Sequence, residues 1–137
     1  MEKALILKAL TSCIEACENL ATASTHNQSK TMYKDCLSAA IDCADTGMML
    51  TLKINKQPEV LHRNLFKQFI DHCKACAQVC GKYNEPQARH ALKECKLTID
   101  ICHKYIEEFQ QVDEYYYLTP TSMQSRYMEK LRQVFPG

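Results

Sequence analysis

Cys73-Lys-Ala-Cys-Ala-Gln-Val-Cys-Gly-Lys-Tyr-Asn-Glu-Pro86 places three cysteines at steps of three and four, then a glycine, then Asn84 and a proline two residues on. Steps of three and four keep side chains on one helix face, so Cys73, Cys76 and Cys80 predict a single sulfur-bearing stripe. Gly81 suits the end of that helix, and Asn84 with Pro86 suits the start of the next. Two similar breaks lie upstream, Ser24-Thr-His-Asn-Gln-Ser29 and Asn55-Lys-Gln-Pro58, the latter again a capping residue followed by a proline expected in a first helical turn. Four long segments result. Connections this short make consecutive helices antiparallel, which predicts an all-α, up-down-up-down four-helix bundle.

Each segment carries an inward stripe at alternating steps of four and three. The first reads Ile6, Leu10, Cys13, Cys17, Leu20, Ser24, and the second Met32, Cys36, Ala39, Cys43, Thr46, Leu50. The third reads His62, Phe66, Phe69, Cys73, Cys76, Cys80, Tyr83, and the fourth Ala88, Leu92, Cys95, Ile99, Cys102, Ile106, Phe109. Leu, Ile and Phe share these stripes with the cysteines, and no Lys, Arg, Asp or Glu falls on them. Residues 1–112 are thus expected to form the bundle and 113–137 a tail. The tail opens with Asp113-Glu-Tyr-Tyr-Tyr-Leu-Thr-Pro120, and Met123, Tyr127, Leu131, Val134 and Phe135 predict a short C-terminal amphipathic helix, expected to pack on the bundle, with a subunit contact or a membrane surface as the alternatives.

Folding the chain at turn centres near residues 27, 57 and 85 puts every helix on one height scale, numbered as in the second helix. On it Cys13 and Cys17 fall at about 41 and 37, Cys73, Cys76 and Cys80 at about 41, 38 and 34, and Cys95 and Cys102 at about 39 and 46. Cys36 and Cys43 stand beside them, so all the cysteines occupy roughly 18 Å of one core. Ile6, Leu50, Phe66 and Ile106 fall at about 48 to 50, which predicts a hydrocarbon plug at that end. The end near Ser24, Met32, Tyr83 and Ala88 carries smaller or more polar groups and is the expected mouth.

Composition narrows the chemistry. The 137 residues carry 17 Lys+Arg and 16 Asp+Glu, a net charge of +1, which lacks the footprint of a nucleic-acid binder. No run of 18 apolar residues is present, so no membrane-spanning helix is expected. Nine cysteines are an odd number that cannot all pair within one chain. Met1 to Leu10 holds Lys8 among its apolar residues and no cleavage signal, which leads to the expectation of a cytoplasmic protein with reduced thiols. Such cysteines are metal ligands, redox groups or small core hydrophobes.

Cys13-Ile-Glu-Ala-Cys17, Asp42-Cys-Ala-Asp45 with Cys36 before it, Cys73 to Cys80 followed by Gly81-Lys, and Glu94-Cys to Ile101-Cys102 resemble the cysteine-rich four-helix-bundle copper-binding proteins, which include the bacterial copper storage proteins. The resemblance covers about residues 4 to 110. It implies that core-facing thiolates bind several Cu(I) ions per chain, storing or buffering copper without catalysing a reaction, and that the protein forms a homo-oligomer with copper ions as its partners. The ligands would be Cys13, Cys17, Cys36, Cys43, Cys73, Cys76, Cys80, Cys95 and Cys102. Apart from the resemblance, Met32 near the expected mouth reads as a core residue or as a soft thioether that hands Cu(I) inward, and His90 as a solvated surface residue or a second group for metal entry. Members of the family commonly carry further cysteines where Leu20, Ser24, Ala39 and Ile99 stand here, which implies a smaller capacity.

The chemistry is coherent, since Cu(I) is soft and satisfied by two or three thiolates, and buried thiolates need a compensating cation. Without metal the same residues are neutral thiols that pack as small hydrophobes, so the empty bundle should already be folded. Zinc fits less well, because Cys73-x-x-Cys76 is the single pair at finger spacing. A di-iron centre would need inward carboxylates, and the stripes carry none; Glu59-x-x-His62 is one isolated pair at a helix start. A redox enzyme would need an exposed thiolate, which a mid-helix Cys73-Lys-Ala-Cys76 does not offer. The competing reading is a structural or interaction bundle whose core happens to be rich in cysteine.

Overall fold

The structure, a computed structural model, describes residues 1–26 and 33–118, with side chains described for 1–25 and 34–109. Four helices follow one another: α1 (Lys3–His26), α2 (Tyr33–Lys56), α3 (Arg63–Cys80) and α4 (Pro86–Leu118). Each packs on its neighbour in sequence, and α1 closes the ring against α4, giving the antiparallel bundle that the short connections require. No strand occurs among the described residues, and no helix there is long and apolar enough to cross a membrane. Met32 and the expected C-terminal helix, Met123 to Phe135, lie outside the described residues. α4 itself runs on to Leu118.

The stripes of α1 and α3 are buried as their periodicity predicts. Ile6, Leu10, Cys13, Cys17, Leu20 and Ser24 face the core on α1, and Phe66, Phe69, Cys73, Cys76 and Cys80 do so on α3, with Tyr83 half-buried beyond. The plug is also present. Ile6, Leu50, Ile54, Phe66 and Phe69 are fully buried, and the Tyr105 ring stacks on Phe66 at 5.4 Å.

Three expectations change. On α4 the positions buried alongside Cys95 and Cys102 are Ala91, Thr98 and Tyr105, while Leu92, Ile99 and Ile106 are half-buried at the edge of the core. At Thr98 the cause is close approach of α1, where the hydroxyl donates to the Ala9 carbonyl at 3.5 Å and is satisfied inside the core. On α2 it is Ala40, not Ala39, that is fully buried. The third change concerns the start of α3. Asn55 lies inside α2, and Pro58 belongs to a connection over residues 57–62 rather than to a first helical turn.

That connection is ordered by its own bonds. Gln57 N–H donates to Lys53 O at 2.8 Å, closing α2, and Val60 N–H donates back to Gln57 O at 3.2 Å. Leu61 is then buried over the plugged end, and His62 reverses the chain in the left-handed region at φ 54°, which histidine tolerates better than branched residues do. A His62 ring nitrogen lies 3.0 Å from Gln57 O, and its backbone carbonyl accepts from Phe66 N–H at 3.0 Å to start α3. His62 is thus a structural residue at the helix start. Burial of Leu61 outweighs the helix-start signal of Pro58. Pro86, by contrast, does open α4, with Arg89 N–H donating to Glu85 O at 3.0 Å.

Candidate metal centre

All nine cysteines are free thiols with no exposed surface. Their helices bring four of them together, one from each: Cys13, Cys43, Cys73 and Cys95 have every sulfur within 4.8 Å of the others. Cys13 Sγ stands 4.0 Å from each of Cys43, Cys73 and Cys95, and Cys43 Sγ is 3.5 Å from Cys73 Sγ. One turn along the bundle, Cys17, Cys76 and Cys95 form a second set within the same limit, so Cys95 belongs to both. Cys76 Sγ also lies 3.9 Å from Cys80 Sγ, one helical turn on.

Cys36, Cys80 and Cys102 fall outside these two sets. Cys36 lies toward the α1–α2 end, where Cys80 and Cys76 act on it, and Cys102 lies on the plug side, where Cys13 does. The sulfurs therefore form one column running from Cys36 and Cys80 through both sets to Cys102. His90 stands apart on the surface, its side chain 52% exposed and its ring nitrogen 3.6 Å from Glu94. Ser24 is buried at the same end as Cys36, and its hydroxyl finds no hydrogen-bond partner among the described residues.

The thiols share protons unequally. Hydrogen bonding with Cys17, Cys43, Cys73 and Cys95 shifts the Cys13 thiol well below its usual range, against the opposing effect of burial. Proximity to Cys13 disfavours the Cys17 thiolate, but Cys43, Cys76 and Cys95 outweigh it and bring that thiol down to about 6. Cys43, Cys73 and Cys95 are pushed far up, first of all by Cys13. Cys80 is raised by Cys76 and by burial. Burial is the leading cause at Cys36 and Cys102, each pushed up to about 12.

A cation can replace those shared protons. A metal–thiolate bond of about 2.3 Å in trigonal geometry sets sulfurs about 4.0 Å apart, and tetrahedral geometry sets them about 3.8 Å apart. Four sulfur pairs of the four-helix set, at 3.5 to 4.0 Å, lie close to these values, and the remaining pairs of both sets are within 4.8 Å. Thiolate donors select soft ions such as Cu(I) and zinc. No carboxylate or imidazole joins either set.

A family model described as copper storage protein matches residues 1–107. The chain belongs to that family. The match spans all the cysteines and ends within α4, and together with the two buried thiol sets it supports copper binding by this copper storage family member. No curated protein and no solved structure matches the chain.

Sequence reasoning missed one positioning residue of this centre, Gly47. A Cβ built there would stand 2.9 Å from Ile14 Cγ1 and 3.0 Å from Phe69 Cε1, so a larger residue would force the Ile14 and Phe69 side chains or the helix spacing to shift one turn from Cys43. The available signal was a lone glycine inside a helical pattern, which marks close packing when it is not a cap.

Proposed function

We propose that this protein stores or buffers copper in the cytoplasm as Cu(I), several ions per chain, and that it does so as a binding protein without a catalytic cycle. The observation that carries this reading is the pair of buried thiol sets joined through Cys95. A single structural site would need one closed set. Two sets sharing a ligand, extended by Cys80, Cys36 and Cys102, instead suit a cluster in which thiolates bridge several monovalent ions.

Cys17, Cys76 and Cys95 match the low coordination number that Cu(I) favours. Because most of the thiols are protonated in the empty protein, loading releases protons, and uptake weakens as the pH falls. Burial keeps the loaded ions from water and from other proteins. Met32 and His90 are the residues we assign to metal access, and a homo-oligomer is the assembly we assign to the working form.

The test is an anaerobic titration of the reduced protein with Cu(I) against a competing chromogenic chelator, with thiols counted in parallel. Several equivalents per chain at a sharp endpoint are expected. An endpoint of zero or one overturns the storage reading in favour of a structural bundle. Light scattering of the loaded protein checks the assembly.

A further inference from the structure

The two thiol sets differ in a way that storage of Cu(I) alone does not require. Cys17, Cys76 and Cys95 supply three donors, whereas Cys13, Cys43, Cys73 and Cys95 supply four, one from each helix. Four thiolates around one point are one more than Cu(I) ordinarily takes, and they are the donor number of a closed tetrahedral zinc site. The spacing agrees. Four of the six sulfur pairs are 3.5, 4.0, 4.0 and 4.0 Å apart and the other two are within 4.8 Å, against the edge of about 3.8 Å of a tetrahedron with 2.3 Å bonds.

Charge favours the same ion. Four thiolates around one Cu(I) would leave three negative charges in a buried core, and around one divalent ion only two. The set is also closed: its members have no exposed surface, and Leu10, Phe66 and Phe69 are buried in the same core. A dry, four-thiolate enclosure with one donor from each helix excludes the water ligands and larger coordination numbers that harder divalent ions need.

We propose that Cys13, Cys43, Cys73 and Cys95 form a mononuclear tetrahedral site for one divalent thiophilic ion, zinc, which occupies the bundle when copper is absent. This rests on the reading of the core as a soft-metal centre. In the binding step Zn2+ gains four Zn–S bonds, and the protons carried by those thiols leave to solvent. Cu(I) loading then converts the same sulfurs from terminal ligands of one ion to bridging ligands of several, and the zinc is released.

The test uses the full-length, metal-free, reduced protein under anaerobic conditions, with Co2+ as the spectroscopic probe. Expected are the intense visible bands of tetrahedral thiolate-bound cobalt, saturating at one equivalent per chain and bleached by one equivalent of Zn2+. Cys73→Ala should abolish the bands, while Cys36→Ala should leave them intact. If folding of Cys73→Ala fails by circular dichroism, Cys43→Ser serves in its place, and the wild-type spectrum decides the coordination number in either case.

The weak spectrum of six-coordinate cobalt, saturation well beyond one equivalent, or bands that survive loss of Cys43 or Cys73 would overturn the site. Cu(I) titration of the same preparation separates the two readings. Copper uptake without a cobalt–thiolate spectrum removes the zinc site and leaves storage standing. A cobalt–thiolate spectrum without multiple copper uptake does the reverse.

Discussion

The bundle has two halves of equal burial and opposite content. On the connection side of α2 and α3, Ile6, Leu50, Ile54, Leu61, Phe66, Phe69 and Tyr105 fill the core with hydrocarbon and rings; toward the other end the same four helices present sulfur. Burial alone therefore does not distinguish scaffold from site. A large side chain removed from the plug leaves a cavity, whereas a thiol is small and contributes little packing area, so stability is concentrated in one half and metal affinity in the other. This separation lets the empty protein hold its thiols close together before any ion arrives.

The largest effect should come from breaking the plug. Phe66→Ala removes a fully buried ring and its stacking on Tyr105, and is expected to cost about 3–5 kcal/mol in urea unfolding of the metal-free protein. Its copper equivalents per folded chain should be unchanged. A loss of capacity in the folded fraction would show that the halves are coupled.

Alkali should strike the other half. Cys36 and Cys102 rise from 9.0 to about 12 on folding, so the folded state favours their neutral form. Their contribution is fully present below pH 9 and is lost as the pH climbs from 9 to 12. Metal-free protein should therefore unfold at progressively lower denaturant over that window, and Cu(I)-loaded protein, whose sulfurs are held by metal, should not. Equal slopes for the two forms would contradict the ligand assignment of these outlying thiols.

Cys43→Ala is expected to cost only roughly 1 kcal/mol in the metal-free protein, because one small atom is lost. The same change should lower the Cu(I) endpoint measurably, since Cys43 Sγ lies 4.0 Å from Cys13 and 3.5 Å from Cys73. A variant that unfolds with its copper uptake intact would invert the comparison. The smallest effect belongs to His90→Ala. An exposed imidazole 3.6 Å from Glu94 should change stability by less than about 0.5 kcal/mol, and equilibrium capacity not at all; only the rate of loading, followed by stopped-flow, tests its part in access.

Much of this was legible in the chain. Strict spacing on α1 and α3 identified their buried faces, and the height scale already grouped Cys13, Cys43, Cys73 and Cys95 within about four residues of one level while setting Cys80 and Cys102 at the extremes, with Cys36 next to Cys80. Less legible was the flank of α4. Between Cys95 and Cys102, steps of three and four lead to Thr98 and Ile99 respectively, and hydrophobicity chooses Ile99. The structure chooses Thr98, because α1 comes close enough for its hydroxyl to reach Ala9 O. Gly47 was missed and the start of α3 misplaced for a related reason, since a small residue or a buried Leu61 acquires its meaning from what packs against it.

The sequence by itself determined four helices, their antiparallel order, a plugged end and a level of cysteines, because periodicity and chain breaks are local properties. Tertiary structure alone decided which sulfurs meet. A helix rises about 1.5 Å and turns about 100° per residue, so a shift or rotation of a single residue exchanges a 4 Å contact for none. The packing of each helix on its two neighbours, including α1 against α4 at Thr98 and α2 on Ile14 and Phe69 at Gly47, fixed those offsets, and with them the four-sulfur set, the three-sulfur set and the Cys95 that joins them.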